Sequence, residues 1–164
     1  MNELTRVFQL LSIRDNKLKT RYEENVANTN DTHLITYENT LPIHSDLFDA
    51  VQLLASHVAG ITGLILVGDM IRIGGYQRQN IGDAQLLTIY AALGPDATVR
   101  TAAGNLSVRL YIGRDEYPEI DLLLEDLSRC EREANLYITK GKTFEQNAFV
   151  CMDADDINLI QTAA

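Results

Sequence analysis

A chain of 164 residues, 46% hydrophobic, is long enough to bury one substantial core and short for two. No apolar run approaches the ~18 residues of a bilayer span, and Met1-Asn2-Glu3-Leu4 has neither the basic start nor the apolar stretch of a signal peptide; the expectation is a soluble, cytoplasmic protein with no membrane partner. A net charge of −9 would ordinarily argue against a polyanionic ligand, but the charge is unevenly placed: Met1 to Arg114 holds ten Lys/Arg against eleven Asp/Glu, and Asp115 to Ala164 four against twelve.

In chain order, the first forty residues carry three short candidate strands, Val7–Arg14, Leu18–Glu24 and Leu34–Asn39. They are separated by Asp15-Asn16, which suits a tight hairpin turn, and by the polar stretch Asn28 to Thr32. The first is ambiguous, because Leu4, Val7, Phe8 and Leu11 also fit a helical period. Ser45 or Asp46 can then cap a helix with apolar positions Leu47, Val51, Leu54, Val58 and Ile61, ending at Gly60 or Gly63. A second run of strands follows at Met70–Arg78, Gln85–Leu93, Ala97–Thr101 and Leu106–Ile112, with turns at Asn80 to Asp83, Gly94 to Asp96 and Gly104-Asn105.

The last element reads most clearly. Pro118 suits a first helical turn, Ile120, Leu123, Leu124, Leu127, Ala134, Tyr137 and Ile138 form one apolar stripe, and Gly141 can close the helix beside Lys140 and Lys142. Beyond Thr143 no period survives, and Asp153, Asp155 and Asp156 mark an acidic end. The expected fold is therefore α+β, with antiparallel sheet in the order βββα-βββ(β)α: one domain over residues 1–142 and a flexible acidic tail over 143–164.

Chemistry is sparse in this pattern. His33, His44 and His57 have no ligand spacing with one another or with a cysteine, and His57 reads as a helix-face residue. Asp153 to Asn158 lacks the glycine and glutamate of a calcium loop, and Gly68-Asp69 and Gly74-Gly75 lack the lysine of a phosphate loop. Cys130, in the last helix, and Cys151, in the tail, read as reduced thiols. The carboxylates Asp115, Glu116, Glu119, Asp121, Glu125 and Asp126 complement a helix N-terminus. No catalytic residue, metal site or cofactor is implied, and the chain reads as non-enzymatic.

The strongest constellation comes from sorting the second strand run by side-chain direction. Ile71 and Ile73 face one way and Arg72, Tyr76 and Arg78 the other; Val108, Leu110 and Ile112 face one way and Arg109 and Tyr111 the other; Tyr90 and Arg100 join the polar class. An Arg/Tyr face can track phosphates and stack bases, the way sheet platforms hold single-stranded nucleic acid, and Arg14, Lys17, Lys19 and Arg21 could enlarge it. The same residue types also suit any solvated sheet face. A rival reading is a protein-interaction module, such as a virally encoded inhibitor, DNA mimic or assembly factor, that engages a basic partner through its acidic helix and tail. Open strand edges leave room for a homodimer.

Leu34-Ile35-Thr36-Tyr37, Pro42, the helix from Asp46 to Gly60, Ile71-Arg72-Ile73, and Glu133 to Ile138 with Gly141-Lys142 together resemble small phage and prophage proteins. The resemblance spans most of the chain and implies a DNA replication or recombination accessory, acting in the cytoplasm of a bacterial host. Such proteins often end in a peptide similar to those that dock on DNA sliding clamps. Here Gln146 and Phe149 match that peptide, its leucines are absent, and the spacing is short. The tail, with Gln146, Phe149, Asp153, Asp155 and Asp156, is thus the expected contact for a replication or host protein. It is also similar to acidic termini that compete for the DNA surface of single-strand-binding proteins.

Overall fold

A computed structural model describes residues 7–65, 70–93 and 106–142. It is an α+β fold in which six antiparallel strands form one sheet and the helices pack on one side of it. The strands are β1 (Val7–Arg14), β2 (Lys17–Asn25), β3 (Thr32–Glu38), β4 (Ile71–Ile81), β5 (Ala84–Leu93) and β6 (Leu106–Ile112). The helices are α1 (Ser45–Gln52), α2 (Leu54–Thr62) and α3 (Ile120–Lys140). Sheet order is β3-β2-β1-β4-β5-β6, so two three-stranded meanders, each followed by helix, meet across the antiparallel β1–β4 pair. No helix among the described residues is long and apolar enough to cross a membrane.

Local sequence accounts for most of the turns. Asp15 (φ 51°) and Asn16 (φ 60°) both take left-handed backbone, the geometry of a two-residue hairpin turn whose twist matches that of its strands. Between β4 and β5 the expected four-residue turn shrinks to Gly82-Asp83, because Asn80 and Ile81 stay paired with Gln85 and Ala84. The predicted strand at Ala97–Thr101 lies outside the described residues.

The helix expected from Asp46 to Gly60 is two helices bent at Leu53. Its cap is neither Ser45 nor Asp46: His44 holds extended backbone and its Nδ1 accepts the Asp46 N–H at 3.1 Å. Gly60 lies within α2, and Gly63 ends it at φ 77°. Gln52, the last residue of α1, bonds both backbone groups of Ile73, donating to its carbonyl at 3.0 Å and accepting from its N–H at 2.9 Å. At the far end Gly141 closes α3 at φ 63°, and Lys142 Nζ reaches Asp46 at 2.6 Å and Glu133 at 2.9 Å, tying the end of α3 to the start of α1.

The core lies between the sheet and the helices. Phe8, Leu11, Leu18, Tyr22, Ile71, Ile73, Leu87, Ile89, Val108 and Leu110 rise from the strands against Leu47, Val51, Leu54, Val58, Leu123, Leu127 and Tyr137. Cys130 is a free, fully buried thiol that donates to the Ala50 carbonyl, and burial pushes its pKa up to about 12. A thiol so held is inert packing rather than chemistry.

Candidate nucleic-acid interface

With the helices on one side, the opposite side of the sheet carries no helix among the described residues. The strand registers decide which side chains project there: Arg14, Lys17, Lys19, Arg21 and Glu23 from the first hairpin, Glu38 from β3, Arg72 from β4, Tyr90 from β5, and Arg109 and Tyr111 from β6. Six of the charged groups are basic and two acidic. Among the described residues, most carboxylates lie along the helices and the segment before α3, at Asp46, Asp49, Glu116, Glu119, Asp121, Glu125, Asp126, Glu131 and Glu133.

The polar face has local structure. Lys19 pairs with Glu38 across β2 and β3 at 2.8 Å, which holds the Glu38 carboxyl below its ordinary range; both groups are exposed, so the pair adds little stability. Arg14, Lys17 and Lys19 line a cavity of about 400 Å³ together with Asp15, Glu38, Ser12 and Asn39. Arg21 Nε is buried without a hydrogen-bond partner. Tyr90 donates to Gln77 at 2.9 Å, which fixes its ring on the sheet, and Arg114 stacks 4.0 Å from the Tyr111 ring centroid while Glu116 accepts the Tyr111 N–H.

Two residues expected on this face point the other way. Strand β4 has a bulge between Ile73 and Gly75, so alternation restarts one residue late, and Tyr76 and Arg78 project toward α3. Tyr76 is fully buried and donates to Glu131 Oε1 at 3.2 Å; Arg78 Nη2 reaches the same oxygen at 3.2 Å. Neither can stack on or grip an external ligand from there. Arg100 lies outside the described residues, as do Gln146, Phe149, Asp153, Asp155, Asp156 and Cys151. What remains of the predicted contacts is Arg72, Tyr90, Arg109 and Tyr111, with the first hairpin's cations brought onto the same side.

The half-buried Arg78–Glu131 contact makes a pH prediction. Burial raises the Glu131 pKa above its ordinary 4.5, outweighing the opposing pull of Arg78 and of the Tyr76 hydroxyl. A carboxyl whose folded-state pKa lies above its unfolded one keeps its proton longer when folded, so its contribution to stability falls as pH rises from 4.5 through the folded value. Glu131→Gln removes that dependence. The stability of the variant relative to the parent should therefore climb across this window in urea titrations; a flat or falling difference contradicts the reading.

A second cluster escaped the sequence. His57 is buried, its Nδ1 2.9 Å from Tyr117 Oη and its Nε2 2.8 Å from Asp126 Oδ2, while the Tyr117 hydroxyl is 3.1 Å from Glu119 Oε2. Burial and Glu119 push the Tyr117 pKa up to about 12. Asp126 and Glu119 had read as complements to a helix dipole; they are instead the two ends of a hydrogen-bonded chain that joins α2 to α3. Tyr117, Glu116 and Glu119 also line a cleft of about 740 Å³ against Ala59 and Ile65. The available signal was a titratable ring beside the apolar stripe Leu54, Val58, Ile61, where an imidazole needs partners. Those partners are 60 and 69 residues away, which no spacing rule reaches.

Among the described residues no group of three or more His, Cys, Asp or Glu side chains could hold a metal ion. Comparison with known proteins gave no match to a family model, a curated protein or a solved structure.

Proposed function

We propose that this chain binds single-stranded nucleic acid on the helix-free face of its sheet, as an accessory of DNA replication or recombination. The observation that carries the reading is charge segregation: six basic against two acidic strand residues on that face of a chain whose net charge is −9. Guanidinium and ammonium groups from β1, β2, β4 and β6 would contact the phosphates, and Tyr90 and Tyr111 offer rings on which bases stack.

The test is fluorescence anisotropy with a labelled oligothymidine over a range of salt. Affinity should fall with salt along a log–log slope of about −0.7 per phosphate contacted. The double substitution Arg72→Ala, Arg109→Ala should weaken binding and flatten that slope by about 1.4, two contacts' worth. Removing residues 143–164 should leave affinity unchanged or raise it. Absence of binding at low salt, or binding indifferent to salt, overturns the reading; loss of binding on removal of the tail favours an interaction module built on the acidic end.

A further inference from the structure

Among the described residues the sheet has two edges, β3 and β6, and they are treated differently. On β6 the Tyr111 N–H is taken up by Glu116 Oε2 at 3.1 Å, so the chain satisfies part of that edge itself. Strand β3 has no such cover among the described residues. It runs seven residues in unbroken register with β2, contains no proline or lysine, and ends in its single formal charge, Glu38. Leu34 is 59% exposed at its middle. Among the described residues, the devices that usually blunt an edge strand are absent.

Which backbone groups are free follows from one bond. Asn39 N–H donates to the Leu18 carbonyl at 3.0 Å, so in the antiparallel alternation Tyr37, Ile35 and His33 also turn their backbone groups toward β2. Thr32, Leu34, Thr36 and Glu38 turn theirs outward. An antiparallel partner that uses all four must pair Thr32 with its own Glu38 position and Leu34 with its own Thr36 position, and a second copy of this strand does so about a twofold axis at Ile35. Centring the axis on Leu34 or Thr36 leaves one outward residue of each copy unpaired. The Ile35 register also sets no like charges opposite one another and lays Leu34 beside a threonine methyl.

We propose that β3 pairs antiparallel with β3 of a second copy about a twofold axis at Ile35. That axis is normal to the sheet, so the two six-stranded sheets become one continuous sheet and both helix-free faces point the same way. The proposal stands apart from the nucleic-acid reading, although a dimer would double the length of any such platform.

Sedimentation velocity on the full chain over a wide concentration range should give a dimer mass at the upper end. Thr36→Pro removes one outward N–H and no intrachain strand bond, so the variant should keep its circular dichroism and become monomeric. Ile35→Cys in a Cys151→Ser background places two thiols at a non-hydrogen-bonded pair, where Cα atoms lie about 4.5 Å apart, within disulfide reach. Mild oxidation should link it into a covalent dimer, whereas Leu34→Cys, opposite Thr36 of the partner, should link poorly. If Thr36→Pro fails to fold, the two cysteine variants decide. A monomer at every concentration, a dimer indifferent to Thr36→Pro in a folded variant, or preferential linkage through Leu34→Cys overturns the proposal.

Discussion

Gly75→Ala is expected to destabilise the fold by at least about 4 kcal/mol, enough that the variant is recovered largely insoluble or with a collapsed urea midpoint. Gly75 has φ 153°, and a Cβ built there would lie 2.1 Å from the Leu11 carbonyl oxygen and 2.7 Å from Ser12 Cα. Those atoms are backbone of the central strand β1, paired with β2 on one side and β4 on the other, so they cannot swing aside as a side-chain terminus would. Gly82 is the control. Its φ of 59° disfavours a side chain, but nothing lies within 4 Å of the added carbon, so Gly82→Ala should cost only about 1 kcal/mol. A Gly75→Ala protein with a midpoint close to that of Gly82→Ala would mean that the β1–β4 contact is looser than described.

The same glycine explains why the strands were legible from the sequence and their faces were not. Val7–Arg14 and Leu106–Ile112 were recognised as strands, because alternation and turn chemistry there are local properties. A bulge inserts one residue and inverts every face assignment beyond it, and its cause at Gly74-Gly75 is the close approach of another strand. That approach is invisible from within β4, so Tyr76 and Arg78 were sorted with Arg72 when they belong to the core side. Strand β1 shows the converse. Its register shift between Phe8 and Leu10 leaves Phe8 and Leu11 on one face at a spacing of three, which is why the segment also read as helical. Arg72, Arg109 and Tyr111 were assigned correctly relative to their neighbours because no bulge separates them from the apolar residues used as reference.

The bend between α1 and α2 has a comparable origin. Leu47, Val51, Leu54 and Val58 keep helical spacing straight through Leu53, so periodicity alone reads one helix. Gln52 is drawn down to both backbone groups of Ile73, immediately before the β4 bulge, and the helix restarts beyond it. The glutamine and the bulge are thus parts of one arrangement. Neither announces the other in the linear sequence.

His57→Ala should cost about 3 kcal/mol, through the cavity left by a buried ring and the two hydrogen bonds lost with it. The tyrosine has one hydroxyl proton and two neighbours that can accept it, Glu119 and the Nδ1 of His57. When it donates to Glu119, Nδ1 must itself donate, and Nε2 donates to Asp126; every group in the chain is then satisfied with both ring nitrogens protonated. With a single ring proton, held on Nε2, the tyrosine must turn to Nδ1 and Glu119 loses its donor. Alanine at position 57 spares the Tyr117–Glu119 bond and strands Asp126, whose side chain is 21% exposed and can recover part of its hydration. Asp126→Asn, which keeps an acceptor for Nε2–H, should therefore cost only about 1 kcal/mol. Equal, small losses for the two variants in urea titrations would show that neither the packed imidazole nor the chain from Asp126 to Glu119 binds α2 to α3.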